Sequence, residues 1–480
     1  MRGSFLAFML GWALSGLGAL LVVFAGLAAV LAEPWLPFLL AGACAVLPGV
    51  PLLLSGNPAA EPGRRASLLA VLLLWLLFPL FGSLPFLFGG QLGPLDAFFE
   101  AMSGFSTAGA TVLGDPGVIP QSLLLYRSLT QWLGGIGILI VFVAVFPQLG
   151  IAGRQLFVGE EPGPKEDRVS PRLRFASGAL LAVYASLTAL CFLAYWLGGM
   201  GGLTALSYAF VTLSAGGFAS LAPEQAVFEL PAHLVTGSVF MVLAGTNFTL
   251  QYRAWHGRLG ELFRDVEFRT YLTVIAAGSL LLFFLLSGRE TLLTAVFQGI
   301  STVTTTGFTT PGMSDWPAAA QLLAMALMFA GGSAGSAAGG IRIMRWLIVL
   351  RSTGREVERL LHPRAALPLK VGHRLITPEV LRSVAAFFTL YVLLTAVSTV
   401  FLTFSGLDLV TSASAALSSV GLVGYGFTSS GALLEFAALP EAAKGILIFD
   451  MYAGRLEIVT LAVLFVPGFW RLPRRRRSAS

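Results

Sequence analysis

Residues 96 to 111 read D-A-F-F-E-A-M-S-G-F-S-T-A-G-A-T, and three later segments repeat their pattern. These segments are T-A-L-S-Y-A-F-V-T-L-S-A-G-G-F at 204 to 218, T-A-V-F-Q-G-I-S-T-V-T-T-T-G-F-T-T at 294 to 310, and T-S-A-S-A-A-L-S-S-V-G-L-V-G-Y-G-F at 411 to 427. Each is a run of small and apolar residues that ends in a glycine-containing loop. Each is too apolar for a simple loop and too short for a full span, so the pattern predicts four half-helices that dip into the membrane.

The four segments align in register at both ends. Each opens with a residue type that caps a helix N-terminus: Asp96, Thr204, Thr294 and Thr411. At the same interval downstream each carries a glycine: Gly109, Gly217, Gly307 and Gly424. The segments recur at roughly hundred-residue spacing with an apolar span on either side, which predicts four pseudo-symmetric repeats of span, half-helix, loop and span.

The composition places the whole chain in a membrane. Of its 480 residues, 56% are hydrophobic and 11% are charged, and the mean hydropathy is +0.83. We therefore expect an all-α polytopic membrane protein with no large soluble domain. The expected units are two extra transmembrane helices in residues 1–65, followed by four repeats at 66–152, 173–257, 268–352 and 376–472.

The basic residues set the expected orientation. They fall in alternate connections, at Arg64 and Arg65, Arg154 to Arg174, Arg253 to Arg269, Arg351 to Arg374, and in the tail Arg471 to Arg477. The positive-inside rule makes these connections and both termini cytoplasmic. Residues 82–126 and 198–251 contain no Lys or Arg and are expected to face outward. Because the net charge of +6 is divided among these connections, it forms no single basic patch and does not indicate a nucleic-acid partner.

The four loops have the chemistry of a cation path. Irregular backbone at membrane depth is tolerated where it is buried in protein or lines water, and four loops around one axis can offer carbonyl oxygens that replace an ion's hydration shell. Glycine permits the positive φ that aims successive carbonyls at the axis, and the half-helix C-termini add partial negative charge. Close helix packing is the competing explanation for a single glycine, and it explains four in register less well.

Several motifs together resemble the TrkH and KtrB family of bacterial potassium transporters, which is also similar to the plant HKT transporters. They are V-G-Y-G at 423–426, S-L-T-Q-W-L-G-G-I-G at 128–137, Q-L-F at 155–157, P-G-P at 162–164, A-G-T-N-F at 244–248, and G-R-L-E-I-V-T-L-A-V-L-F-V-P-G-F-W-R at 454–471. The resemblance covers essentially the whole chain. It implies potassium uptake across the bacterial inner membrane, with potassium as the substrate and no organic cofactor.

The resemblance implies a selectivity filter built from the four loops. Its expected residues are Ser106, Thr107, Ala108, Gly109, Ser214, Ala215, Gly216, Gly217, Thr304, Thr305, Thr306, Gly307, Gly421, Leu422, Val423 and Gly424. In HKT-like proteins a glycine at the first-loop position is associated with potassium preference, which Gly109 matches. Two registers stay open, because Gly216 could replace Gly217 and Gly421 could replace Gly424. Ala108 departs from the family, where threonine is common.

A dense glycine run, G-G-S-A-G-S-A-A-G-G at 331–340, should interrupt the span expected from Ala318 to Leu350. The resemblance implies an intramembrane gating loop here, containing Gly331, Gly332, Gly335, Gly339 and Gly340. It also implies that Arg455, within an apolar helix of the fourth repeat, is an electrostatic barrier in the pore. Glu457 is not expected to be its partner. Arg342 and Arg345, just past the glycine run, are expected to be plain cytoplasmic charges.

Two other classes of function compete with this interpretation. A transporter coupled to protons or sodium would bury a carboxylate near the midplane, and Asp96, Glu100 and Asp450 are expected at segment ends or in half-helices. A membrane enzyme is not expected, because the histidines show no metal-ligand spacing. The resemblance further implies a homodimer and a cytoplasmic TrkA-like nucleotide-binding ring, and the basic connections would suit such a ring or membrane lipid.

Overall fold

The computed structural model describes residues 4–57, 64–114, 116–144, 171–218, 227–286, 288–363, 365, 367–372 and 374–470. Several features singled out in the sequence lie outside the described residues: Arg154, Lys165, Arg168, the Q-L-F and P-G-P segments, Arg364 and the tail from Arg471.

The first half of the chain begins with a helical hairpin and continues through two half-helices. Its helices are α1 (Phe5–Val30), α2 (Leu36–Ser55), α3 (Arg64–Gly82), α4 (Leu84–Phe88), α5 (Pro94–Ser106), α6 (Gln121–Ala144), α7 (Pro171–Leu197), α8 (Gly202–Leu213), α9 (Pro231–Ala244), α10 (Phe248–Trp255) and α11 (Leu259–Arg264). Of these, α5 and α8 are the half-helices predicted from the first two segments.

The second half contains the other two half-helices, α13 and α17. Its helices are α12 (Val266–Leu285), α13 (Leu292–Val303), α14 (Ala318–Met328), α15 (Ile343–Leu361), α16 (Pro378–Phe404), α17 (Leu409–Gly421), α18 (Glu441–Arg455), α19 (Ile458–Ala462) and α20 (Pro467–Trp470). A small antiparallel hairpin, β1 (Lys370–Val371) and β2 (Arg374–Leu375), precedes α16.

Six helices among the described residues are long and apolar enough to cross a membrane, and α9 with α10 makes a seventh span bent by 103°. The spans that follow the second, third and fourth half-helices are broken: α9 ends at Ala244, α14 at Met328 and α18 at Arg455. The outer faces of the long helices carry large exposed apolar side chains, including Leu54 and Phe404. Such a surface is unfavourable in water and suits lipid.

Each half-helix packs against the spans that flank it and also against the span that closes the preceding segment. The pairs of this second kind are α6 with α8, α9 with α13, α14 with α17, and α18 with α5. The last pair returns to the first half-helix, so the four half-helices are enclosed in a closed circuit of helices. The four loops that follow them are thereby brought to one place.

The helix starts correct one prediction from the sequence. The N-cap residues are Gly93, Gly201, Thr291 and Asp408, each three residues before the cap expected at Asp96, Thr204, Thr294 and Thr411. In the last two helices the upstream side chain accepts a hydrogen bond from the expected cap: Thr291 from the N–H of Thr294 and Asp408 from that of Thr411. The earlier polar residue therefore takes the capping role and adds a turn to the half-helix.

The N-terminal hairpin of α1 and α2 packs against the outside of the first segment. Phe24 and Phe38 meet the ring of Tyr126 on α6 at centroid distances of 5.5 and 5.7 Å. Glu33, in the turn between α1 and α2, accepts hydrogen bonds from the N–H groups of Gln121 and Ser122 at 2.8 and 2.9 Å. The Glu33 carboxylate thus caps the N-terminus of α6, where the helix dipole favours a negative charge.

Candidate functional site

The four loops share one unusual backbone conformation. In each, a non-glycine residue with positive φ follows the half-helix: Thr107 (59°), Ala215 (51°), Thr305 (55°) and Leu422 (60°). Two positions later each has a glycine with positive φ: Gly109 (82°), Gly217 (70°), Gly307 (81°) and Gly424 (95°). Non-glycine residues rarely adopt this conformation, and its repetition at four equivalent positions indicates a common backbone geometry.

The four glycines touch one another's loops in a closed ring. A Cβ atom added to any of them would meet the carbonyl oxygen of the residue before the glycine of the next loop, closer than real Cβ atoms approach. The contacts run from Gly109 to Gly216, from Gly217 to Thr306, from Gly307 to Val423, and from Gly424 to Ala108. Glycine is therefore required at these four positions both by φ and by the approach of backbone oxygen.

This ring favours one of the two registers left open by the sequence. Gly217 and Gly424 have positive φ and face the next loop, whereas Gly216 does not have positive φ and a Cβ there would meet the side chain of Gln131. Gly421 is the last residue of α17, and a Cβ there would lie 3.2 Å from the Tyr391 hydroxyl. The geometry therefore puts Gly217 and Gly424, rather than Gly216 and Gly421, in the positions equivalent to Gly109.

The side chains of the loop residues are buried, and several hydroxyls are turned back toward the half-helices. Ser214 Oγ donates to Val211 O at 3.0 Å, and Thr304 Oγ1 bonds to Thr306 Oγ1 at 2.8 Å. The other expected filter residues that are not glycine are also buried beside the ring: Ser106, Thr107, Ala108, Ala215, Thr305, Leu422 and Val423. The ring itself presents the carbonyl oxygens of Ala108, Gly216, Thr306 and Val423. Backbone carbonyl oxygens of this kind can replace an ion's hydration shell.

In three of the half-helices, one side chain accepts a hydrogen bond from the backbone that follows the ring glycine. Glu100 accepts from Val112 N at 2.9 Å, and Ser414 Oγ accepts from Phe427 N at 2.7 Å. Gln298, with its amide oriented to satisfy both neighbours, accepts from Thr310 N at 2.7 Å. In each case the bonded N–H lies three residues after the glycine. The sequence reasoning missed these three residues, although a carboxylate inside an apolar half-helix was a signal for Glu100.

Glu100 is also one half of a buried ion pair. Its Oε1 lies 2.5 Å from Nε of Arg127 on α6, and the two side chains are 0% and 3% exposed. The Arg127 guanidinium carbon lies 3.6 Å from the ring centroid of Phe218, the residue after Gly217. The expectation that Glu100 lies in a half-helix is confirmed. The pair links the first loop to the second, since Arg127 contacts a residue that adjoins the ring.

The chain is not helical from residue 329 to 342, where the glycine run predicted an interruption. Gly331, Gly335 and Gly340 have positive φ, and the N–H of Gly339 donates to Thr305 Oγ1 at 2.7 Å. The N–H of Gly340 donates to Gly421 O at 3.0 Å. This loop therefore lies directly against two of the four loops, on the side where their half-helices end.

The far side of the 329–342 loop is tied to the second and third segments. Ala334 N donates to Glu267 Oε1 at 2.7 Å, and Asn247 Nδ2 donates to Ala334 O at 2.6 Å. Gly332 packs closely on Gly245, since a Cβ at Gly332 would lie 2.9 Å from its carbonyl oxygen. Asn247 lies in the A-G-T-N-F motif, but its contact was not foreseen, and Glu267 had no signal in the sequence.

Arg455 reaches the 329–342 loop from the fourth segment. Its guanidinium donates to Ala337 O at 3.2 Å and to Gly134 O of α6 at 2.9 Å, and the residue is 3% exposed. Arg455 is not inside a continuous helix as expected, because α18 ends at this residue and Glu457 turns the chain with a φ of 57°. Arg455 therefore joins the 329–342 loop to α6 through two backbone carbonyls.

The interpretation of Arg342 and Arg345 as plain cytoplasmic charges is wrong. Both are buried, and Glu457 pairs with Arg345 at 2.7 Å and with Arg342 at 3.6 Å. The chain turns sharply at Arg342, which has a φ of 75°, so the first turn of α15 lies inside the bundle. As expected, Glu457 pairs with other residues and not with Arg455.

A small pocket adjoins the 329–342 loop, and its lining is charged. It is lined in part by Gly340, Arg342, Arg345, Phe387, Arg455 and Glu457. Three arginines against one glutamate leave the lining net positive, which opposes a cation in this position.

Two of the three acidic residues lie where the sequence predicted, Asp96 at a segment end and Glu100 in a half-helix, and Asp450 does not. Asp96 lies in the first turn of α5 and pairs with Lys444 at 2.7 Å. Asp450, expected near a segment end, lies within α18, is 0% exposed and accepts a hydrogen bond from Ser398 Oγ at 2.6 Å. The expected position of Asp450 is therefore wrong, because α18 continues past it for more than one turn.

Comparisons with known proteins agree on one family. The family model of TrkH, described as a cation transport protein, matches residues 44 to 471. The Trk system potassium uptake protein TrkH of Halomonas elongata is 37% identical over 449 residues, which is 91% of this chain and 92% of that protein. The TrkH of Escherichia coli K12 is 36% identical over 423 residues, covering 86% of this chain and 87% of that protein.

The likeness extends to a solved structure. The crystal structure of the potassium transporter TrkH from Vibrio parahaemolyticus matches with a TM-score of 0.88 and 33% identity, over 97% of this chain and all of that chain. The all-α polytopic fold expected from the sequence is confirmed by this likeness.

Proposed function

The chain belongs to the TrkH family of cation transport proteins, and from this premise we propose that it takes up potassium ions across the inner membrane of a bacterium. It is a multi-pass membrane protein, and it is a transport protein rather than an enzyme. The relatives named above are potassium uptake proteins, and potassium is the substrate proposed for this chain.

The observation that carries the proposal is the closed ring of Gly109, Gly217, Gly307 and Gly424. Four loops with the same alternation of φ approach one another through backbone, which is the arrangement that replaces an ion's hydration shell with carbonyl oxygens. The selectivity filter proposed here consists of the backbone from Ser106, Ser214, Thr304 and Gly421 up to those four glycines. Four pseudo-symmetric repeats, within the residue bounds given by the sequence, are part of the same proposal.

The 329–342 loop is the proposed gate, and Arg455 is its proposed electrostatic partner. The loop bonds to Thr305 and Gly421, so an ion that leaves the filter meets it first. Because Arg455 bonds to the carbonyl of Ala337, a movement of the loop would also release the arginine. Because the loop has glycine at five positions, its backbone can change conformation with little steric hindrance.

A second candidate is uptake coupled to protons or sodium, and it rests on Asp450. A buried carboxylate bonded to Ser398 is the kind of group that binds a coupling proton. Replacement by asparagine separates the two candidates. If potassium permeates passively, uptake by Asp450→Asn should persist and respond to external pH as the wild type does. If uptake is coupled to protons, Asp450→Asn should lose the pH dependence.

The partners and orientation belong to the proposal as well. We place both termini in the cytoplasm, and we propose a homodimer that binds a TrkA-like nucleotide-binding ring and membrane lipid through the basic connections. Co-elution of the purified chain with a TrkA-like protein of its host tests the ring directly. Failure to co-elute, with the dimer intact, would contradict this part of the proposal.

Potassium-dependent growth of a bacterium stripped of its own uptake systems tests the function. With a TrkA-like partner supplied, the wild-type chain should restore growth at low potassium. Arg455→Ala should alter the potassium requirement, because it removes the buried charge beside the loop, whereas the exposed Arg289→Ala, outside the basic connections, should not. No rescue by a wild-type chain that is present in the membrane would contradict potassium uptake.

A further inference from the structure

A buried side chain of α6, Gln131, supports the second loop from behind. Its Nε2 donates to the carbonyl oxygen of Gly216 at 2.6 Å, and its Oε1 accepts from the N–H of Phe218 at 3.3 Å. The two bonds fall on the residues immediately before and after Gly217. The side-chain amide thus pairs with the backbone on both sides of the ring glycine, as a neighbouring strand would.

The type of side chain matters at this position. A neutral primary amide can donate through nitrogen and accept through oxygen at the same time, which a carboxylate or an alkyl group cannot. Gln131 is 0% exposed, so neither the Gly216 carbonyl nor the Phe218 N–H has bulk water as an alternative partner there. The Gly216 carbonyl is also the oxygen that Gly109 approaches in the ring.

The same helix contacts the second loop again one turn earlier. Arg127, four residues before Gln131, lies over the ring of Phe218 and is fixed by its ion pair with Glu100. Phe218 is therefore held through its N–H by Gln131 and through its ring by Arg127. In consequence α6, which follows the first loop in the chain, positions the loop of the next segment.

We propose that Gln131 is a positioning residue that sets the ion preference of the ring by fixing the direction of the Gly216 carbonyl. The inference rests on the proposed filter. When Gln131 is bonded, the peptide group between Gly216 and Gly217 is held in one orientation. Without the bond it can turn, and the spacing of oxygens that distinguishes potassium from the smaller sodium ion is lost.

Two substitutions at this position test the role. Gln131→Glu keeps the shape of the side chain, and in its ionised form it removes the donor to the Gly216 carbonyl. Gln131→Asn keeps the amide and withdraws it by one methylene group, so it is the milder change for folding. The matched control is Gln321→Glu on α14, because Gln321 is also buried and donates to two backbone carbonyls, those of Trp316 and Gly431.

The measurement is uptake of potassium and of sodium by cells that carry each variant, with the amount of protein in the membrane and the melting temperature of the solubilised protein determined in parallel. We expect the potassium-over-sodium ratio to fall about tenfold in Gln131→Glu, the change that one lost hydrogen bond can produce. Gln131→Asn should lower the ratio less, and Gln321→Glu should leave it unchanged. A purely structural role would lower the melting temperature and total uptake without changing the ratio.

The outcomes separate this inference from the function on which it rests. A wild-type ratio in Gln131→Asn or Gln131→Glu, at wild-type amounts in the membrane, would overturn the positioning role and leave potassium uptake intact. Absence of potassium uptake by the wild type itself would overturn the proposed function and this inference together. An equal fall of the ratio in Gln321→Glu would also count against a specific role for Gln131.

Discussion

At the scale of single residues, the loops hold backbone that is unfavourable on its own. Thr107, Ala215, Thr305 and Leu422 have positive φ, and each such residue costs about 1–3 kcal/mol. The conformation persists because the surroundings impose it: the glycine two positions later fits against the next loop, and half-helix side chains such as Glu100 and Ser414 hold the N–H beyond it. The stability of the loops therefore depends on side chains that lie behind them.

The Glu100–Arg127 ion pair is a buried, charged support of the loops, and Glu100→Ala tests its contribution to stability. The substitution leaves the Arg127 charge buried without its carboxylate, so we expect a loss of about 3–5 kcal/mol of stability. It should appear as a lower melting temperature of the solubilised protein and less protein in the membrane. The control is Glu261→Ala, because Glu261 is half exposed in its pairs with Arg253 and Arg258. Equal melting temperatures of the two variants would contradict the role given to Glu100.

Residue chemistry in the sequence predicted the ring glycines but not their supports. Gly109, Gly217, Gly307 and Gly424 stand out because their interval repeats, and the repeat is visible without coordinates. Gln131 and Gln298 are ordinary polar residues in apolar helices, and their partners are backbone groups that are brought near by the tertiary fold. A bond from a side chain to a distant backbone group leaves no periodic trace in the sequence.

At the scale of secondary structure, three spans are interrupted at their inner ends. The sequence predicted the break between α14 and α15, because a dense run of glycines disfavours helix. It did not predict the bend after Ala244 or the end of α18 at Arg455. Those breaks depend on long-range bonds, such as those of Asn247 to the 329–342 loop and of Glu457 to Arg345. A local pattern cannot report bonds of that kind.

In the proposed gate, the bond from the Gly339 N–H to Thr305 holds the 329–342 loop against the third filter loop, and Thr305→Val tests this role. Valine keeps the β-branched shape and removes the oxygen that accepts the Gly339 N–H. If one bond of about 1 kcal/mol holds the loop closed, potassium uptake without the cytoplasmic ring should rise about fivefold. Initial rates of rubidium uptake at equal protein levels measure this.

The control for Thr305→Val is Thr273→Val on α12, where the exposed threonine bonds to its own helix through Arg269 O. Its uptake should equal that of the wild type. Uptake in Thr305→Val that is no faster than in Thr273→Val would show that the bond does not hold the loop closed.

At the scale of the whole molecule, the basic connections and the half-helix starts lie at opposite ends of the spans. The connections at 253–269 and 351–374 lead into α12 and α16, and the half-helices α13 and α17 begin after those spans end. This is the arrangement that the proposed orientation requires. The circuit of α5, α8, α13 and α17 with the closing spans depends on which helices pack together. The sequence predicted that four segments are alike, but the order of their packing became visible only in the structure.

Side-specific labelling tests the orientation in a chain that carries Cys44→Ser, because Cys44 is exposed and Cys191 is buried. A membrane-impermeant maleimide should label Arg258→Cys in inside-out vesicles and Val118→Cys in intact cells or right-side-out vesicles. Both positions are well exposed in the structure. Labelling of both from the same side of the membrane would contradict the assigned topology.

The ring of four glycines is proposed to select potassium, and competition for rubidium uptake measures that selectivity. In cells without other potassium uptake systems, potassium should suppress rubidium uptake by the wild-type chain, and sodium should not. Gly109→Ser, whose Cβ would strike the Gly216 carbonyl, should lose this preference. Gly114→Ser, in open space in the same loop, should retain it. If Gly109→Ser, at wild-type amounts in the membrane, kept the full preference for potassium over sodium, the ring of glycines would not be what selects potassium.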